Sequence, residues 1–139
     1  MPVVKRTLVL VKPDGVARGL IGEIVGRFER RGLRVAAAEL RTLDRATAER
    51  HYAEHDGKPF YEGLVSFITG GPVMALVLEG PEDTWQVVRT MMGPTNPALA
   101  PSGTIRGDLG LEMQQNLIHG SDSAESAQRE IAIFFPALG

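Results

Sequence analysis

The sequence predicts a layered domain of strands and helices, on three observations. Short apolar or alternating runs bounded by turn residues are interleaved with segments of 3.6-residue periodicity, in the order β-α-β-α-β-α-β. A chain of 139 residues, 43% hydrophobic and 23% charged, can bury a core of its own. No internal repeat or low-complexity linker divides it, so residues 1–139 read as a single domain. The pattern admits a ferredoxin-like split βαβ sandwich or a small doubly wound sheet, and does not choose between them.

The elements follow in order. Thr7 to Val11 is an apolar run ending in Lys12-Pro13-Asp14-Gly15, a strand followed by turn chemistry. Leu20, Ile21, Ile24, Val25 and Phe28 recur at helical spacing, with Gly32 as the stop. Leu33 to Leu43 reads as a long strand, with Leu33, Val35 and Ala37 alternating. Asp44 is placed to cap a helix reaching about Glu54. Pro59 starts another helix through Phe60, Leu64, Phe67 and Ile68, ended by Gly70-Gly71-Pro72. Val73 to Leu78 is apolar throughout, as in a strand covered on both faces. Trp85, Val88 and Met92 mark one face of a helix that stops at Gly93-Pro94. A short helix after Ser123, through Arg129, leads to an expected last strand from Ile131 to Phe135, closed by Pro136.

The stretch from Gly93 to Ile118 has three prolines, four glycines and no periodicity. A compact domain rarely carries so long a loop without using it, and Ile105, Leu109 and Leu111 need burial.

Composition excludes several function classes. A formal net charge of −2 argues against nucleic-acid binding by a basic surface, so an anion site has to be local. No run of about 18 apolar residues exists, so no membrane span is expected. The absence of cysteine excludes disulfides and thiolate metal sites and fits a cytoplasmic protein; the N-terminus has no signal-peptide pattern. There is no G-x-x-x-x-G-K-[ST] phosphate cradle and no protein-kinase signature. No carboxylate cluster has metal-ligand spacing.

The most informative segment is Asn116-Leu117-Ile118-His119-Gly120-Ser121-Asp122-Ser123. Leu117 and Ile118 anchor the backbone, and Gly120 removes a side chain beside the imidazole, leaving room for a bulky reactant. Ser121, Asp122 and Ser123 supply N-cap chemistry for the next helix. A neutral imidazole before a helix N-terminus suits a nucleophile that receives an anionic group.

This segment resembles the active-site string of the nucleoside diphosphate kinases. The resemblance extends in order along the chain through Lys12-Pro13-Asp14-Gly15-Val16, His51-Tyr52, Lys58-Pro59-Phe60-Tyr61, Gly71-Pro72-Val73, Thr95-Asn96-Pro97-Ala98 and Gly103-Thr104-Ile105-Arg106-Gly107-Asp108. It implies an α+β, ferredoxin-like split βαβ sandwich: a four-stranded antiparallel sheet flanked by helices. It also implies ping-pong transfer of a γ-phosphoryl group through a phosphohistidine.

By that resemblance His119 is the nucleophile, Glu130 accepts a hydrogen bond from its other ring nitrogen, and Ser121 both caps the helix and supports the site. Lys12, Arg89 and Arg106 neutralise phosphate charge, with Thr95 as a hydroxyl donor. Phe60 offers a stacking face for any base, and Lys12 and Asn116 contact sugar hydroxyls. Tyr52 supports the site; Leu64 is better read as core. His51 and His55, on a polar helical stretch, receive no role. Arg18, Arg27, Arg30 and Arg31 are read as solvated, with Arg18 placed to favour phosphate entry. Mg²⁺ is expected to arrive on the nucleotide phosphates, with no protein side chain as ligand.

The chain departs from the family pattern at Ser102, where proline is usual before Gly103, and at Leu109, where an aromatic is commoner. It also ends three residues after Pro136. These positions bear on loop rigidity and assembly, where a homo-hexamer is favoured over a tetramer. The rival reading, a non-catalytic nucleotide-sensing or nucleic-acid-binding module of the same fold, is disfavoured by the retention of Lys12, Phe60, Arg89, Thr95, Arg106, Asn116, His119 and Glu130.

Overall fold

A computed structural model describes residues 5–138. Four strands form one sheet in the order β2-β3-β1-β4, with every neighbouring pair antiparallel. They are β1 (Lys5–Val11), β2 (Arg34–Arg41), β3 (Val73–Gly80) and β4 (Ile118–Gly120). Among the described residues seven α-helices connect or follow them: α1 (Pro13–Ala17), α2 (Ile21–Arg31), α3 (Arg45–His51), α4 (Tyr61–Ile68), α5 (Thr84–Met92), α6 (Ile105–Leu109) and α7 (Ala124–Phe134). The order is that of the split βαβ sandwich, so the doubly wound alternative falls away.

The alternation of β1 explains its unbroken apolarity. Leu8 and Leu10 enter one core cluster with residues of α3, α4 and α7, whereas Val9 and Val11 enter a second with residues of α2 and α5. β3 divides in the same way, Val73, Ala75 and Val77 against Leu76 and Leu78. Each such side chain, wholly buried, contributes about 1.5–3 kcal/mol of transfer free energy. The two central strands are therefore the middle of three layers.

Local chemistry sets the ends. Gly32 closes α2 in the left-handed conformation, at φ 101°. Asp44 caps α3 by accepting from the Thr47 amide at 2.7 Å. The stretch expected as one helix to Glu54 breaks at Tyr52 into a 3₁₀ turn, Ala53–His55. Lys12-Pro13-Asp14-Gly15, expected as a turn, opens the short helix α1 with Pro13 in its first turn.

One expected element is absent. Ile131 to Phe135 is not a strand: α7 runs on through Phe134, and Ile131 and Phe134 pack into the first core cluster. Their spacing of three is a helical stripe as much as an apolar run. The fourth strand is instead the three-residue β4, which carries His119 and pairs with β1 at Val9↔Gly120, Leu10↔His119 and Val11↔Ile118.

The long segment before β4 is ordered by its own polar groups. Thr104 caps α6 by accepting from the Gly107 amide at 2.9 Å and donates to the Pro101 carbonyl at 2.7 Å. The Asp108 carboxylate accepts from the Gly103 amide and pairs with Arg27, both at 2.9 Å or less. Arg27 is therefore a tie between α2 and this segment and not a solvated charge, and Arg18 likewise donates to the Leu109 carbonyl at 2.7 Å. No helix among the described residues is long and apolar enough to cross a membrane.

Candidate active site

β4 is an edge strand, and its register decides where His119 points. Ile118 lies in the core cluster formed with α2 and α5, so the side chain between Ile118 and Gly120 must face the opposite layer. There α7 supplies Glu130. Nε2–H of His119 donates to Glu130 Oε1 at 2.8 Å, which leaves Nδ1 as the ring nitrogen with a lone pair. Glu130 is only 3% exposed, so it is not a helix-end surface carboxylate. Burial raises its pKa, but the His119 contact, His51 and the Ser121 hydroxyl outweigh that and hold it at about 2.

Ser121, expected to cap the next helix, does not cap it. Its hydroxyl donates to Glu130 Oε1 at 2.8 Å, and its amide donates to the Leu8 carbonyl at 3.1 Å, fixing it to β1. The cap of α7 is Ser123, which accepts from the Ser126 amide at 3.0 Å. Gly120 also differs from expectation. A Cβ there would lie 2.6 Å from Met92 Sδ and 3.2 Å from Val88 Cγ1. The residue is small because α5 packs against β4, on the face away from the imidazole.

The backbone leading into β4 is bent. Leu117 has φ 75°, a left-handed conformation unfavourable for a branched side chain. It is held by the Lys12 amide donating to its carbonyl at 2.8 Å and its own amide donating to Asp14 Oδ2 at 3.0 Å. Gly15 permits the close crossing, since a Cβ there would sit 2.8 Å from Val11 Cγ1 and 3.1 Å from the Leu117 carbonyl.

The cations converge on the same strand. Arg106, 4% exposed, donates through Nε to the Asn116 carbonyl and through Nη1 to the Gly93 carbonyl, both at 3.1 Å, and through Nη2 to the Ile118 carbonyl. Expected as a phosphate ligand, it serves in this structure as the clasp of the loop; three of its five N–H groups serve backbone. Burial, with Arg89 nearby, lowers its pKa to about 10. Arg89 donates to the Gly120 carbonyl at 2.9 Å. Lys12 Nζ donates to Asn116 Oδ1 at 2.8 Å, and burial with the Arg106 charge lowers its pKa to about 8. Asn116 Nδ2 in turn donates to the Thr95 carbonyl at 3.1 Å, which brings Thr95, itself exposed, to the same rim.

Phe60, at the head of α4, is 50% exposed with Lys58 Nζ 5.8 Å from its ring centroid. An aromatic that exposed stands outside the core, its ring open to solvent. Tyr52 is buried, its phenol pKa raised by burial and by Glu130, and it reaches His119 through the residue beside it.

That residue, His51, is what sequence reasoning missed. Its ring lies 4.6 Å from the His119 ring, edge-on at 82°, and against Tyr52 and Phe134. It is 2% exposed, and neither ring nitrogen has a hydrogen-bond partner among the described residues. Burial first, and the His119 charge second, lower its pKa to about 3, so it is neutral. The signal was present: Thr47, Ala48, His51 and Tyr52 form a helical stripe, and all four are buried.

The split βαβ domain thus carries a carboxylate-held imidazole on its edge strand, with Arg89 and Arg106 bound to carbonyls of the same strand and Lys12 to Asn116 just before it. The family model for nucleoside diphosphate kinase matches residues 5–138. The chain is 60% identical to the nucleoside diphosphate kinase of Parafrankia sp. (strain EAN1pec), over 96% of this chain and 97% of that one. It is 61% identical to the enzyme of Rhodococcus opacus (strain B4), over 95% of each. Among solved structures, a halophilic nucleoside diphosphate kinase from Halobacterium salinarum in complex with CDP superposes with a TM-score of 0.92 at 52% identity, over 96% of this chain and 88% of that one. A family protein from Babesia bovis gives 0.93 at 46% identity, over 96% and 90%. The chain belongs to the nucleoside diphosphate kinase family.

Proposed function

We propose that this chain moves the γ-phosphoryl group of a nucleoside triphosphate to a nucleoside diphosphate, with His119 Nδ1 as the carrier. The observation that carries the proposal is the 2.8 Å contact from His119 Nε2 to Glu130 Oε1. Because an ionised Glu130 can only accept, this contact supports the proton on Nε2 and the lone pair on Nδ1. In the first half-reaction the Nδ1 pair attacks the γ-phosphorus, the bond to the bridging oxygen breaks, and the diphosphate leaves with that electron pair. The ring becomes cationic while Nε2 keeps its proton, and Glu130, ionised at any physiological pH, balances the charge. In the second half-reaction an oxygen of a new diphosphate displaces the ring, which returns to neutrality.

Ser121 is the positioning residue for Glu130. The free N–H groups of Arg89 and Arg106, with the Thr95 hydroxyl, stabilise the transferring oxygens. Lys12 and Asn116, already joined at 2.8 Å, hold the sugar hydroxyls; Phe60 stacks the base without reading its edge; Tyr52 backs the site through its neighbour.

The ion that kinases of nucleotides require is Mg²⁺, carried by phosphate oxygens. The one described cluster of metal-ligating type, His51, His119 and Glu130, offers two imidazoles to a cation that prefers oxygen, so it is not where Mg²⁺ binds. We read residues 1–139 as one cytoplasmic domain, a reading supported by the cysteine-free composition, and nucleic acid as an improbable partner at a net charge of −2. Assembly as a homo-oligomer is supported by exposed Leu40 on the outer strand β2 and by Leu99, Met113 and Leu111 on the loop, the last 79% exposed where the sequence called for burial; between the two assemblies we read a hexamer over a tetramer.

Incubation with γ-labelled ATP tests the function. The protein should take up acid-labile, alkali-stable label and release it to added GDP. His119→Ala should take up none, and retained transfer by that variant would exclude the mechanism.

A further inference from the structure

We propose that His51, His119 and Glu130 form a binding site for a d-block divalent cation of the Zn²⁺ class, and that its occupation switches the nucleophile off. The proposal rests on the reading of His119 as carrier.

Three observations support it. One ligand atom from each residue lies within 4.8 Å of the other two, from three separate elements, α3, β4 and α7. Tetrahedral ligands at about 2.0–2.1 Å from zinc stand about 3.4 Å apart, so the site needs a contraction of about 1.4 Å at its widest edge. The His119–Glu130 edge, at 2.8 Å, needs a slight opening. Second, His51 brings two ring nitrogens with no partner among the described residues to a position 2% exposed, and an imidazole buried in this way bears the desolvation cost of its polar atoms uncompensated. A metal would satisfy one of them. Third, two imidazoles and one carboxylate are the donor set of many zinc sites and a poor set for Mg²⁺, so the nucleotide's own ion does not compete.

The consequence for His119 follows from its protons. The neutral ring holds one, on Nε2, facing Glu130. A metal bound at Nε2 takes that nitrogen's electron pair, so the proton moves to Nδ1. No proton is lost from the ring; the two nitrogens exchange roles. The lone pair that attacks phosphorus disappears, while Ser121 keeps Glu130 in place as the third ligand. A ring already phosphorylated on Nδ1 cannot make this exchange and binds a metal only by releasing its Nε2 proton to solvent, so phosphorylation weakens metal binding and bound metal blocks phosphorylation.

Co²⁺ titration of the full chain in saturating Mg²⁺ tests the site by its visible spectrum, independently of activity. The expected result is one equivalent of Co²⁺ with strong tetrahedral d–d absorption, displaced by Zn²⁺, weakened at least tenfold in His51→Gln, and suppressed by prior phosphorylation with ATP. In case His51→Gln does not fold, ring-nitrogen NMR of the unaltered protein supplies the same answer: Zn²⁺ should move His51 and His119 resonances together. Weak octahedral absorption only, or shifts confined to His55, would overturn the proposal. Tetrahedral absorption in a protein that takes up no label would leave the metal site standing and remove the carrier role instead.

Discussion

At the scale of single residues, the site is a chain of held protons. Ser121 and His119 both donate to Glu130 Oε1, so the carboxylate is anchored before it anchors the ring. Replacing Glu130 with Gln keeps the shape and removes the charge that balances the imidazolium. A charge-assisted hydrogen bond is worth about 1.5–3 kcal/mol, so single-turnover phosphorylation should slow by about 10- to 100-fold with the far-ultraviolet spectrum unchanged. An unchanged rate would show that Glu130 does not act through His119. Lys12 carries a second prediction. Its pKa in the fold, about 8, lies below the ordinary 10.5, so between those values the unfolded chain holds more protons and stability rises with pH. Thermal unfolding from pH 7.5 to 10.5 should show that rise, and Lys12→Met should flatten it. The nature of these residues was legible in the sequence because the motif is contiguous around His119. His51 was not, because a histidine among Glu49, Arg50 and Glu54 reads as solvated until tertiary packing shows which side of α3 is covered.

At the scale of elements, the sequence located β1, α2, β3 and α5 closely, since each has both a periodic interior and a chemical stop. It misplaced the last strand because Ile131 to Phe135 is apolar at every position, and only the Ile131–Phe134 packing on α3 and β1 distinguishes helix from strand. β4 itself has three residues, too few for any period to register. It exists because β1 offers an edge and α5 closes over Gly120. Gly120→Ala should therefore destabilise by overpacking, by about 1–3 kcal/mol, toward the low end because Met92 is flexible. Denaturant unfolding measures this, and Gly120→Ala should cost less when made in a Met92→Ala chain, where the space is already open, than in the unaltered chain. If Gly120→Ala is neutral to stability and lowers only activity, the glycine serves the reactant after all.

At the scale of the whole molecule, two buried groups set the response to acid. His51 titrates at about 3 in the fold against an ordinary 6.5, and Glu130 at about 2 against 4.5. In both cases the unfolded chain binds more protons inside the window. Stability should fall as pH drops from about 6.5 toward 3 through His51, joined below 4.5 by Glu130. Chemical denaturation across pH 7 to 3.5 should show the decline beginning near 6.5, and His51→Gln should delay its onset to the carboxylate range. The three-layer order explains why the account holds together at this scale: the sheet fixes β4, and the layer of α3 and α7 brings His51 and Glu130 to one side of it.

The most direct measurement is the position of phosphate on the ring. Phosphorylated protein, labelled with ¹⁵N in histidine, should show the phosphorus coupled to Nδ1 of His119, with Nε2 protonated. Phosphorus on Nε2, or on any other residue, would contradict the claim that Glu130 assigns the two nitrogens their roles.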